Sequence, residues 1–155
     1  MTEKVAYLLQ CGVNLLAKYG MIIAPPMARI ALALPFFRSG LTRWDGPGDL
    51  ANSAIYLFEE EFKLHIFGNE ISIPFPDTVA YVTATFEILL PILLILGLAT
   101  RFSALGLLAM TGFIQLVVPD GWINFHLYWA ALALCIIAMG PGPLSLDHLI
   151  KKLSP

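Results

Sequence analysis

The chain has 155 residues, 58% of them hydrophobic and 13% charged, with a formal net charge of -2 and a mean hydropathy of +0.78. A soluble domain carries about a quarter of its residues as charge, so this composition excludes a water-soluble globular fold. The acidic balance and the lack of any Lys/Arg cluster exclude a nucleic-acid partner, and the length allows one domain, residues 1–155.

At the N-terminus, Val5, Leu8, Leu9, Gly12, Leu15, Leu16 and Tyr19 recur at three- and four-residue spacing, with Gln10, Asn14 and Lys18 between them. This pattern predicts an amphipathic helix lying on the membrane. The segment lacks the apolar core and small-residue site of a cleavable signal.

Four apolar stretches follow, at roughly 22–41, 78–98, 102–119 and 122–140. Each is long enough to cross a hydrocarbon core of about 30 Å at about 1.5 Å per residue. The first opens at Pro25 and Pro26 and contains Pro35, and the second contains Pro91. Proline removes a helical hydrogen bond, which a membrane tolerates where neighbours satisfy the backbone. The third has Gly106 and Gly112 available for close helix approach. The fourth begins at Asp120-Gly121-Trp122 and stops at Gly140-Pro141-Gly142-Pro143.

The long connection, 42–77, has its own pattern. Leu50, Ala54, Leu57, Phe58 and Phe62 fall on one helical side, with Glu59, Glu60, Glu61 and Lys63 between them. A short amphipathic helix over the bundle mouth is predicted, serving as a structural lid, as a docking surface for a partner or as a gate over a polar cavity. The stretch Ile71 to Pro76 is predicted to be extended, because residues before proline avoid helical dihedrals.

The fold class predicted is therefore all-α: a four-transmembrane-helix bundle with an N-terminal amphipathic helix and a second one in the first outer loop. Lys4, Lys18, Arg101, Lys151 and Lys152 fall on one side of the membrane and Arg43 and Lys63 on the other. The positive-inside bias puts both termini in the cytoplasm.

Arg29, Arg38, Glu87, Gln115 and His126 are the polar residues that a plain lipid-facing bundle would not carry. Ionisable groups in a span face the bundle interior and pair. Depth from helix rise puts Glu87 near the midplane, Arg29 toward the cytoplasmic side, and Arg38, Gln115 and His126 toward the outside. Glu87 is expected to contact Arg29 or Arg38, with Gln115 and His126 close to Arg38. Such a cluster serves either as a network fixing helix register or as a site for a quinone, an acidic ligand or protons. No catalytic set is legible. One histidine in the spans gives no two-histidine haem ligation, and no spacing matches a metal site. Cys11 and Cys135 form no CxxC pair and read as small buried hydrophobes.

Several segments resemble the DoxX family of small four-helix membrane proteins. They are Arg29 to Ala33 with Ser39-Gly40-Leu41, Ala84 to Ile88, Leu96 to Arg101, and the glycine-rich ending Gly140 to Asp147. The resemblance marks Arg29, Glu87, Arg101, Gly140, Gly142, Ser145 and Asp147 as family positions, without a settled catalytic role. The segment Phe58-Glu59-Glu60-Glu61-Phe62 is similar to that of members encoded beside biosynthetic proteins for copper-binding or otherwise modified peptides. The resemblance implies an inner-membrane accessory subunit acting through a protein partner in a redox or metal-stress pathway, with Glu59, Glu60 and Glu61 as docking residues. Two alternatives stand beside it. One is a quinone-interacting small subunit of a thiosulfate:quinone type oxidoreductase, with quinone as the cofactor class. The other is a small-molecule transporter, which proline-broken spans permit.

Overall fold

The four apolar stretches form four long helical spans in the computed structural model, which describes residues 2–154; Met1 and Pro155, the two ends of the expected domain, lie outside the described residues. The spans are α1 (Thr2–Leu41), α3 (Pro76–Leu96), α4 (Thr100–Val117) and α5 (Leu127–Met139). A 3-10 turn at Pro119–Gly121 and a π turn at Trp122–His126 lead into α5, so the fourth apolar segment is helical from Pro119 to Met139. A short helix, α6 (Leu146–Leu153), closes the chain.

The expected N-terminal helix is present, but it is continuous with the first span. Pro25 and Pro26 sit inside α1 rather than opening it. Each proline removes one backbone donor but keeps a helical φ, and no positive-φ residue stands nearby to stop the helix. Residues 4–24 lie almost wholly exposed, and burial begins at Pro25.

The bundle core is made by Leu32, Ala33 and Phe36 of α1, Leu94 of α3, Ala104 and Leu107 of α4, and Ala133 and Ile136 of α5. Only 17–33% of the residues in each span's apolar window are buried. The outward faces, with residues such as Ile92, Phe102, Leu105 and Leu134, are thus apolar without a protein partner, and lipid is their solvent. Both cysteines are free, and both are exposed rather than buried: Cys135 lies on the outward face of the fourth span, and Cys11 on the exposed N-terminal part of α1.

The long connection, 42–77, is folded. Strands β1 (Trp44–Gly46) and β2 (Asp49–Leu50) pair antiparallel. They lead into α2 (Asn52–Tyr56), whose last turn widens to a π turn at Leu57–Glu61. This is the predicted amphipathic helix, with Ala54 and Phe58 buried and the three glutamates exposed. Next comes a hairpin absent from the sequence reading, β3 (Lys63–Ile66) and β4 (Asn69–Ser72), paired from Lys63↔Ser72 to Ile66↔Asn69. Its two-residue turn puts Phe67 at φ 51 and Gly68 at φ 80. Both values are positive, as a hairpin turn matching strand twist requires. Phe75 is not extended as expected. It takes φ 53 and ψ 57 and forms the N-cap of α3, because Pro76 already stands at the first helical position and the chain turns sharply into the helix there.

Phe58, Ile73, Ala80 and Val117 form a second small core beneath this lid. The opposite end of the bundle carries the α3–α4 turn, the Pro25 end of the first span and the C-terminal turn, where a Cβ on Gly142 would overlap Pro25. The spans therefore alternate in direction, and the start of α6 lies on the side away from the lid.

Candidate functional site

The five polar residues do not gather into one cluster. They divide among three places along the bundle, and Arg43 takes the part assigned to Arg38.

Glu87 lies at mid-span in α3, faces inward and is 2% exposed. Its Oε1 accepts from the Ser39 hydroxyl of α1 at 3.2 Å. Its Oε2 lies 3.5 Å from Arg43 Nε. Arg43 sits just past the end of α1, where its backbone N–H bonds the Gly40 carbonyl at 3.1 Å. The turn folds its side chain back toward the bundle instead of into water. Phe58 and Phe62 of the lid hold the guanidinium, with ring centroids 5.6 and 5.8 Å from Cζ. The close approach of α1 to α3 here depends on Gly40. A Cβ on it would come within 2.9 Å of both Glu87 Cβ and Ile88 Cγ1.

Arg38 is exposed and is not near Gln115 and His126, as had been expected. Arg29, Leu32, Ala33, Phe36 and Gly40 mark the buried stripe of α1. Arg38 lies about 200° around the helix from Phe36 and so on the opposite face. Gln115 and His126 pair with each other at 2.6 Å, through Oε1 and Nδ1. The Gln115 amide nitrogen also donates to the Pro119 carbonyl at 2.9 Å. This pair bridges α4 to the π turn and fixes the turn between the third and fourth spans. The His126 ring packs where a Cβ on Gly121 would stand.

Arg29 is 2% exposed and lies at the far end of the bundle. It donates through Nη2 to the Leu144 carbonyl and fills the space above Gly97. The family positions of the C-terminal turn meet it there. Asp147 accepts from the backbone N–H of Ala99 and of Thr100, both at 2.8 Å, and so caps α4. Its own N–H bonds the Gly97 carbonyl at 2.9 Å. Ser145 caps α6 by accepting from His148 N–H at 3.1 Å. Gly140 and Gly142 take φ 83 and 75, and the Arg101 guanidinium lies over Gly140. Burial raises the Asp147 carboxyl, but the Thr100 and Ala99 donors and the nearby Arg29 outweigh it and hold it below its ordinary value of 3.8. These residues clasp the C-terminal segment to the bundle.

Between the lid and the ion pair lies a cavity of about 170 Å³. Phe36, Phe58, Phe62, Phe113 and Trp129 give it aromatic walls, and Ser39, Arg43 and Glu87 supply its polar groups. Arg43 Nε and Glu87 Oε2 face each other without hydrogen-bond geometry, so each retains bonding capacity. A dry cavity of about 150 Å³ takes a benzene ring, and this one has room for a single ring with polar substituents. Glu59, Glu60 and Glu61 are exposed on the lid's outer surface. Among the described residues, no three His, Cys, Asp or Glu side chains come together as a metal would need.

Fold and site define a small four-helix membrane protein whose lid closes over a buried ion pair. The family model that matches it is DoxX, over residues 24–120, and the chain belongs to the DoxX family. It is similar to an uncharacterized protein of Haemophilus influenzae, 31% identical over 148 residues, covering 82% of this chain and 83% of that one. No solved structure matches it.

Proposed function

We propose that this membrane protein is an accessory subunit of the bacterial inner membrane that supports a redox or metal-stress related pathway through a partner protein docking on the outer lid. One observation carries the docking surface. The lid is pinned from beneath by Arg43 between Phe58 and Phe62, and at its side by His65 Nδ1 against the Leu116 carbonyl at 3.2 Å. Yet it presents fully exposed Phe67, with Phe75 and Ile71 also outward, and the end of its helix carries the exposed carboxylates of Glu59, Glu60 and Glu61. Exposed aromatics and charge on one pinned lid suit a protein interface. The pathway rests on the family resemblance of the Phe58–Phe62 segment. Purification from native membranes tests this reading. A stoichiometric protein partner supports it, and stoichiometric quinone without any partner overturns it.

The orientation proposed has both termini in the cytoplasm and the lid outside, following the lysine and arginine bias. Cysteines introduced as Glu60→Cys and Ile150→Cys label from opposite faces on this topology, and labelling from one face contradicts it.

A second reading is favoured by the cavity. Its aromatic walls, ring-sized volume and the unspent hydrogen-bond capacity of Glu87 and Arg43 suit a quinone headgroup, which makes the protein a quinone-interacting subunit. Solvent extraction of the purified protein, followed by chromatography of the extract, tests this, and absence of quinone from fully active preparations removes it.

A further inference from the structure

A second concavity lies on the outside of the bundle, away from the ion pair. It is a groove of about 640 Å³ between α3 and the β1–β2 hairpin. Its floor is Ile88, Leu89 and Ile92 of α3, its roof is the hairpin, and Trp44 and Tyr81 stand where the two meet. Trp44 and Tyr81 pack edge to face at 5.3 Å. The hairpin is fixed over the groove by the Ala51 N–H, which bonds the Arg43 carbonyl at 2.9 Å.

Three observations indicate what fills it. The first is length. From Tyr81 to Ile92 the helix rises about 16 Å, about half of a hydrocarbon core of about 30 Å, so the groove runs from the lid side past the mid-span level of Glu87 and is long enough for one acyl chain. The second is polarity. The Thr85 hydroxyl in the floor is already spent on the Tyr81 carbonyl at 2.8 Å, leaving the floor apolar, while Trp44 and Tyr81 mark the interfacial level above it. The third is charge. Asp45, at the hairpin rim of the groove, is exposed and joins neither ion pair found among the described residues. Its hairpin neighbour Asp49 is exposed as well. The groove is also continuous with the exposed apolar face of α3, which lipid already covers.

We propose that this groove holds one phospholipid of the lid-side leaflet, with an acyl chain along Ile88, Leu89 and Ile92 and an amine-bearing headgroup at Asp45. The aromatic pair sits at the level of the glycerol backbone. The lipid wedges the hairpin against α3 and so supports the turn that carries Arg43.

Native mass spectrometry of the full chain, released from nanodiscs with equal phosphatidylethanolamine and phosphatidylglycerol, tests the site. The expected result is one retained phospholipid per chain, with the ethanolamine lipid preferred about fivefold, the size of one exposed ion pair. Leu89→Trp fills the groove and is expected to abolish retention. Asp45→Asn, a surface change that leaves the fold intact, is expected to keep retention and lose the headgroup preference. No retained lipid in the unaltered chain, or equal retention by Leu89→Trp, overturns the site. Equal retention of the two lipids by the unaltered chain overturns the headgroup assignment. Disulfide-linked dimers of Thr85→Cys in native membranes show a second copy in the groove and overturn the proposal as a whole.

Discussion

Glu87, in the middle of the second span, is ion-paired at 3.5 Å with Arg43, a residue beyond the end of the first span. The lid and the bundle core thereby share a charge pair, and the lid's Phe58 and Phe62 hold its cationic half. Disturbance of the lid is thus transmitted to the only buried carboxylate among the described residues.

Glu87→Leu is expected to destabilise the protein by about 3–5 kcal/mol, because it leaves Arg43 half-buried without its counter-charge. Arg43→Met should do the same from the other side. The double variant should recover most of the loss, since two apolar side chains replace a pair whose desolvation is costly. Glu60→Gln, on the exposed lid surface, should stay within about 0.5 kcal/mol. Thermal unfolding in detergent of all four variants measures this, and strictly additive single losses would contradict the coupling.

Gly40→Leu is expected to push α1 from α3. Even a Cβ there would lie 2.9 Å from Glu87 Cβ and 3.0 Å from the Glu87 backbone carbon, and backbone cannot step aside. Overpacking of this kind costs about 1–3 kcal/mol for a methyl group, and more for a branched side chain. Gly112→Ala, where a Cβ meets nothing, is the matched control. Comparison of their unfolding temperatures decides the point.

Asp147 gives the C-terminal clasp a pH dependence. Its carboxyl is held below 3.8, so the charged form is favoured in the folded state. The stabilisation is fully present above 3.8 and is lost as pH falls through the lower folded value. Asp147→Asn is expected to cost about 1–2 kcal/mol at neutral pH, as for loss of a charged helix cap. It should also flatten the acid limb of stability against pH. Unfolding measured from pH 7 to about pH 3 in both proteins tests the sign; a variant whose acid limb is as steep as before contradicts it.

The spans were legible because their length and apolarity leave a membrane as the sole solvent for their outward faces, and Gly140-Pro141-Gly142-Pro143 marked the end of the fourth. The order of the polar residues along the bundle follows from helix rise alone. Which way each arginine points was harder. Arg38 sits at the right height but on the wrong face of α1, and the stripe Arg29, Leu32, Ala33, Phe36, Gly40 could have shown it by spacing. Arg43 reads in the sequence only as a loop charge, because nothing local says that a turn will fold a loop residue back into the bundle. The β3–β4 hairpin was missed because its turn uses Phe67 and Gly68 in place of the usual Asn-Gly signal.

Docking of a partner protein on the outer lid is the central claim. It is tested most directly by a photocrosslinking amino acid installed at Phe67 in native membranes. The account predicts a single crosslinked protein species, in stoichiometric yield, that disappears when Glu59, Glu60 and Glu61 are all changed to Gln. A crosslink to lipid alone, or a partner captured equally well without the three carboxylates, would contradict it.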